Sequence, residues 1–193
     1  AHGIVSMSMG YLVTEQTPMV WRGPMATGAL MQMLNQTRWG ALDYLVVDMP
    51  PGTGDIQLTL AQKARMAGAV IVTTPQDIAL LDARKAIEMF GKVKIPVLGI
   101  VENMAMHRCS QCGHEEPVFG EGGGQRVAAQ YHTEVLGSLP LDRLIREQVD
   151  GGRPSVVAEP EGSVAQRYVE IAARIAVLLA EIDSSGGPQI TIE

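Results

Sequence analysis

The chain has 193 residues, of which 46% are hydrophobic and only 4% aromatic, with a formal net charge of −6. That length suits one domain with a full core, and 11 methionines beside so few rings mean that aliphatic side chains must fill it. The acidic balance excludes a general nucleic-acid surface, which needs clustered Lys and Arg, and no apolar run approaches the about 18 residues of a membrane-spanning helix.

The opening Ala1-His2-Gly3-Ile4 has no basic segment followed by an apolar one, so no signal peptide is expected and a cytoplasmic location is the default. In such a compartment the two cysteines are thiols or metal ligands rather than a structural disulfide. Ile4 to Met9 reads as a short strand, and Tyr11 to Trp21 as a loop. Trp21-Arg22-Gly23-Pro24 reads as a helix entry with Pro24 at the first helical position, after which Ala26, Ala29, Leu30, Met33 and Leu34 recur at helical spacing. Arg22 either meets a phosphate or pairs with a surface acid.

The stretch Leu42 to Asp55 organises the rest. Tyr44 to Val47 is an aromatic and aliphatic run that reads as a strand buried on both faces, as in a parallel sheet. It ends in Asp48, and Pro50 and Pro51 stop it because neither can donate to a ladder. Gly52-Thr53-Gly54 then lets the backbone approach a ligand, before a second acid, Asp55. An acid at the carboxyl end of a buried parallel strand, followed by such a turn, suits a nucleotide–Mg²⁺ site: the acid holds the hydrated cation and the turn's N–H groups face the terminal phosphate. The same residues would equally make a tight turn with an acid capping the next helix.

Asp55 is expected to cap a helix that runs to about Met66 and ends at Gly68. Ala69 to Thr73 reads as a second buried strand. Thr74 to Asp77 turns into a helix from Ile78 to Phe90 with the apolar stripe Leu80, Ala83, Ile87 and Phe90. Pro96 to Val101 reads as a third strand and Val135 to Leu139 as a fourth. Ser163, with Gln166 three residues on, reads as a capping box that opens a last helix, whose core face is Val164, Tyr168, Ile171, Ala172, Ile175, Leu179 and Ile182. Strand alternating with helix means an α/β fold, a mostly parallel sheet with helices on both faces. Ser184 to Glu193 reads as a linker and tail.

Past the third strand lies His107-Arg108-Cys109-Ser110-Gln111-Cys112-Gly113-His114. Two thiolates at C-x-x-C spacing bind one side of a soft metal centre, and a zinc site or a cubane cluster needs four ligands. Three readings stand: two subunits each supply a pair across a two-fold axis, His107 or His114 completes a zinc site, or the pair is a redox dithiol. Gly120 to Arg126 is Gly-rich and opens a helix, but it lacks a Gly-Lys-Ser/Thr ending and carries Glu121, so a loop and helix start is the expectation. The only Gly-Lys pair, Gly91-Lys92, is followed by Val93, so no Walker A loop occurs in these residues. Asn103 stands at the carboxyl end of a buried strand, where open α/β sheets bind ligands; its amide would read a base edge or simply form a turn.

These motifs together resemble the Mrp/NBP35/ApbC family of iron–sulfur cluster carrier P-loop ATPases, relatives of the MinD-like proteins with a deviant Walker A loop. The matching stretches are Trp21 to Met25, Leu42 to Asp55, Val72 to Asp77, Gly99 to Met104, the Cys109/Cys112 pair, Phe119-Gly120 with the glycines after it, and Leu136 to Leu141. The resemblance runs from about Gly3 to Glu181 and implies a three-layer P-loop NTPase fold over residues 1–183, with a C-x-x-C insertion at about 104–120. It implies that Asp48 is the Walker B acid, Gly52 the switch II donor to the γ-phosphate and Asp55 a switch II acid. Asn103 would read the adenine with Pro140 and Leu141 near the base, and Cys109 and Cys112 would bridge two subunits through a shared [4Fe-4S] cluster. ATP and Mg²⁺ would govern transfer of the cluster to apo iron–sulfur acceptor proteins from a homodimer that binds neither nucleic acid nor membrane.

In that family the Walker A loop and switch I precede the stretch where this chain starts. The chain is therefore expected to be N-terminally truncated and to hydrolyse ATP poorly. A zinc-binding dimerisation module without ATPase activity is the alternative. A MinD- or ParA-type positioning ATPase would need a basic amphipathic tail or a basic DNA patch, and the sequence offers neither.

Overall fold

The structure is a computed structural model that describes residues 2–11, 23–49 and 54–184. It divides into two compact units, Ala1–Arg65 and Met66–Glu193. The first unit holds two helices, α1 (Gly23–Gln36) and α2 (Asp55–Lys63), which pack on each other. Pro24 is the second residue of α1 rather than the first, and Arg22 lies outside the described residues. At the far end of α1, Trp39 Nε1–H donates to the Leu34 carbonyl at 2.8 Å and the Thr37 hydroxyl donates to Met33, so two of the carbonyls that a helix end leaves unpaired are satisfied.

The cap of α2 is Gly54, not Asp55. Gly54 is extended and its carbonyl accepts from Leu58 N–H at 3.1 Å, which opens the helical series and leaves Asp55 as the first residue inside. The helix ends at Lys63, where Ala64 turns extended, three residues short of the expected end.

Two expected strands of this unit are absent. Ile4 to Ser8 is irregular and leads into a 3-10 turn, Met9–Tyr11, closed by Tyr11 N–H to Ser8 carbonyl at 3.1 Å. Tyr44 to Val47 joins no ladder and lies largely open to solvent, with Val46 89% exposed. Apolar composition makes a strand compatible with burial on two faces. Only partners on its edges and layers over its faces bury it, and among the described residues nothing hydrogen-bonds along this stretch.

The second unit carries the sheet. Strands β1 (Ala69–Thr73), β2 (Val97–Glu102) and β5 (Val135–Ser138) are parallel in the order β1-β2-β5, with Ile71 opposite Ile100 and Ile100 opposite Val135. Between β2 and β5 the chain makes a small antiparallel pair, β3 (His107–Arg108) and β4 (Glu115–Glu116), and helix α4 (Gly123–Gln130). Helix α3 (Asp77–Lys92) joins β1 to β2, and α5 (Arg143–Asp150), α6 (Ser155–Ala158) and α7 (Ser163–Ser184) follow β5. The three strands and α3 fall where the apolar runs predicted them, and Leu80, Ala83, Ile87 and Phe90 are buried as expected.

Neighbouring residues of a strand point to opposite faces. On β2, Glu102 meets α4 while Val101 clusters with Leu136, Leu139 and Ile171 of α7, so helices cover both faces of the central strand. On the edge strand β1, by contrast, Val72 is exposed, so the expected burial of that strand on both faces is not complete. Helix α7 is rotated slightly from its expected register. Ala165 and Ile171 are buried whereas Tyr168 and Ala172 are exposed. Gly162, whose carbonyl accepts from Gln166 N–H at 3.0 Å, precedes the helix, so Ser163 is its first residue and not the cap of a capping box. Arg174 reaches back from α7 to Glu134 through two bonds of 2.8 and 2.7 Å. That guanidinium holds the Glu134 carboxyl below its ordinary range.

Candidate metal centre and base-side segment

The cysteines sit in the turn of the β3–β4 hairpin, in which His107 pairs with Glu116 and Arg108 with Glu115. Cys109 N–H donates to the His114 carbonyl at 2.8 Å and Gly113 N–H to the Cys109 carbonyl at 2.9 Å. Gly113 has φ 72°, a left-handed conformation that a residue with a Cβ adopts only at a cost. This turn aims backbone N–H groups at the Cys109 sulfur. Those of Cys112 and then Gln111, followed by the Cys112 side chain, hold the Cys109 thiol below its ordinary pKa, with the charge of His107 adding to the effect and partial burial opposing it. A thiolate is the form that binds soft metals. Cys109 is half-buried and Cys112 exposed, and both are free.

Neither histidine completes the site within one chain. His107 Nδ1 lies 3.1 Å from the Leu141 carbonyl. Among the described residues no group of three His, Cys, Asp or Glu side chains is placed to hold a metal ion.

Asn103 follows β2. Its N–H donates to the Thr73 carbonyl at 2.7 Å, which carries the sheet one residue further, and its Oδ1 accepts from Met104 N–H at 2.9 Å. The amide has two further donors at Nδ2. On the neighbouring segment after β5, Leu139 N–H donates to the Glu102 carbonyl at 2.9 Å and the Leu139 carbonyl accepts from Ala105 N–H at 3.0 Å, which brings Pro140 and Leu141 to the same end of the sheet as Asn103. That end is the carboxyl end of the parallel strands, where such sheets take ligands. Asp48 is exposed, in the Ala1–Arg65 unit. Gly52 lies outside the described residues, and Asp55 begins α2 with its side chain outside them.

Sequence reasoning missed Glu102. Glu102 is 3% exposed and its carboxylate accepts from Gly124 N–H at 2.6 Å. An anion at a helix N-terminus is stabilised by the unpaired N–H groups there. Here the protein's own side chain takes that place, and the small glycines let α4 approach β2 and α3 closely. A Cβ on Gly124 would lie 3.2 Å from the same carboxylate, and one on Gly123 only 2.8 Å from Leu80. The available signal was an acid ending an otherwise apolar strand, with three consecutive glycines, Gly122 to Gly124, further along the chain. Replacing Glu102 by alanine leaves a buried N–H without its acceptor. The expected loss is about 1–3 kcal/mol of unfolding free energy, with a smaller loss for Glu102→Gln, measured by urea denaturation.

A family model described as "ParA: NUBPL iron-transfer P-loop NTPase" matches residues 1–176. An iron-sulfur cluster carrier protein of Pseudomonas fragi is 65% identical over 172 residues, covering 89% of this chain and 60% of the relative. The iron-sulfur cluster transfer protein NUBPL of Mus musculus is 51% identical, over 90% of this chain and 54% of its own length. The chain thus spans about half to three-fifths of these relatives. Among solved structures, a nucleotide-binding protein from Archaeoglobus fulgidus in complex with ADP superimposes with a TM-score of 0.61 at 43% identity, over 67% of this chain and 53% of that one. Matched along nearly its whole length, the chain belongs to the NUBPL iron-transfer P-loop NTPase family, with the parallel α/β fold expected of it.

Proposed function

We infer that this chain carries a [4Fe-4S] cluster as cargo, held between two copies by Cys109 and Cys112 of each, and delivers it to apo iron–sulfur acceptor proteins. The observation that carries this reading is the hairpin turn itself. It presents two thiols, the Cys109 one with its pKa lowered by backbone N–H groups, and the sequence holds no other cysteine. A cubane takes four thiolates, and a second copy related by a two-fold axis supplies the missing two with the same surface. Relatives named as iron–sulfur cluster carrier and transfer proteins support the cargo.

ATP and Mg²⁺ govern the transfer in this reading. Asp48 orders the cation, Gly52 and Asp55 form the switch beside the γ-phosphate, and Asn103 with Pro140 and Leu141 receives the base. The ADP bound to the Archaeoglobus protein supports a nucleotide on this fold. These 193 residues contain no Gly-Lys-Ser/Thr phosphate loop. The chain by itself is therefore expected to release phosphate from ATP far more slowly than an intact relative, as read by malachite green. The cytoplasm is the proposed location. Among the described residues no helix is long and apolar enough to cross a membrane.

The same N–H-supported thiol pair suits zinc, which would make the chain a two-fold zinc-binding dimerisation module. Anaerobic reconstitution with iron and sulfide separates the two. The cluster reading expects brown protein with about four irons per two chains, whereas colourless protein that retains zinc and excludes iron supports the alternative.

A further inference from the structure

The cysteine hairpin is fastened to the base-side segment at three points. Ala105 N–H donates to the Leu139 carbonyl at 3.0 Å and Leu141 N–H to the Met106 carbonyl at 2.8 Å. The third point is the side chain of His107, whose Nδ1 is 3.1 Å from the Leu141 carbonyl, beside a parallel bridge between the same two residues. A carbonyl oxygen only accepts, so Nδ1 carries the hydrogen and donates it. His107 opens β3, and Cys109 follows two residues later. Two backbone bonds along one ladder leave a hairpin able to swing about that ladder. A side-chain bond added next to the hairpin's own first pair, His107 with Glu116, opposes the swing.

We propose that His107 is a positioning residue that locks the cysteine hairpin to Pro140–Leu141, so that a metal centre on the thiols and a ligand against the base-side segment each alter the other's affinity. The inference rests on the proposed function for what occupies the two places; the tether itself does not. Coupling of this kind is reciprocal. It is therefore readable from the metal side alone, without any demand on nucleotide binding.

The test uses the full chain and amide hydrogen exchange at Cys109, Leu139 and Leu141, before and after anaerobic reconstitution with iron and sulfide. His107→Phe keeps a planar ring and removes the donor, while His107→Asn returns an N–H donor on a shorter side chain. In the wild type, loading the thiols is expected to slow exchange at Leu139 and Leu141 by about fivefold or more. In His107→Phe the iron content stays at the wild-type value and that protection falls to nearly none; His107→Asn recovers it. A merely structural histidine would change exchange equally in loaded and unloaded protein and would not be rescued by asparagine. Equal protection in wild type and His107→Phe overturns the proposal, as does a wild type whose loading leaves Leu141 unchanged.

Failure of the proposed function shows separately, as a wild type that takes up no iron. In that case the metal-free proteins decide the tether. Faster Leu141 exchange in His107→Phe, restored in His107→Asn, upholds it, and identical exchange in all three overturns it.

Discussion

Replacing Cys109 or Cys112 by serine is expected to reduce iron from about two atoms per chain to background and to abolish the cluster-bridged pair of chains. Serine is nearly isosteric but offers a hydroxyl in place of a soft thiolate, and either substitution removes two of the four ligands a two-fold site needs. The two variants should differ in the thiol that remains. Cys109 owes its lowered pKa first to the backbone N–H of Cys112, which Cys112→Ser retains, and only third to the Cys112 side chain. Alkylation of the Cys109 thiol in Cys112→Ser should therefore stay faster at neutral pH than that of an ordinary cysteine thiol. Iron content by chelator assay and mass by analytical ultracentrifugation check the main effect. Unchanged iron and unchanged subunit pairing in either variant would remove the basis of the proposed function.

Truncating Ile100 to alanine should cost about 2–5 kcal/mol. Ile100 is 0% exposed in the central strand, between Ile71 and Val135 on its two neighbours, and close packing there leaves a cavity that the sheet cannot collapse around. Since small domains are stable by only about 5–15 kcal/mol, the variant should show a much lower urea midpoint at an unchanged slope. Val46→Ala is the matched control. Its apolar run looks as buried as that of Ile100 in the sequence, yet at 89% exposure its truncation should stay within about 0.5 kcal/mol. A loss comparable to that of Ile100 would mean that Tyr44 to Val47 is packed after all.

That pair of residues shows how far the fold was legible. Ala69 to Thr73, Val97 to Glu102 and Val135 to Ser138 became strands because each apolar run finds a parallel partner and at least one helix to pack against. Tyr44 to Val47 has the same composition and finds neither among the described residues. The helix caps were misread for a simpler reason. Asp55 and Ser163 have good capping side chains, but in each case a preceding glycine takes the cap position and supplies the carbonyl that begins the helix. Of the candidate site, the thiol pair and the carboxyl end of the parallel strands could be named from spacing and order along the chain, because both are local facts.

The sequence by itself determined what is local: which runs can be strands, where helical periodicity lies, that two thiols stand three residues apart, and that these 193 residues hold no Gly-Lys-Ser/Thr run. Tertiary structure alone decided the pairings across long loops. Glu102 reaches Gly124 over 22 residues and His107 reaches Leu141 over 34. Periodicity carries no information about such contacts. A carboxylate or an imidazole chooses its partner by which donor or acceptor the packed sheet brings within about 3 Å, and that is settled only when β2 and β5 lie side by side.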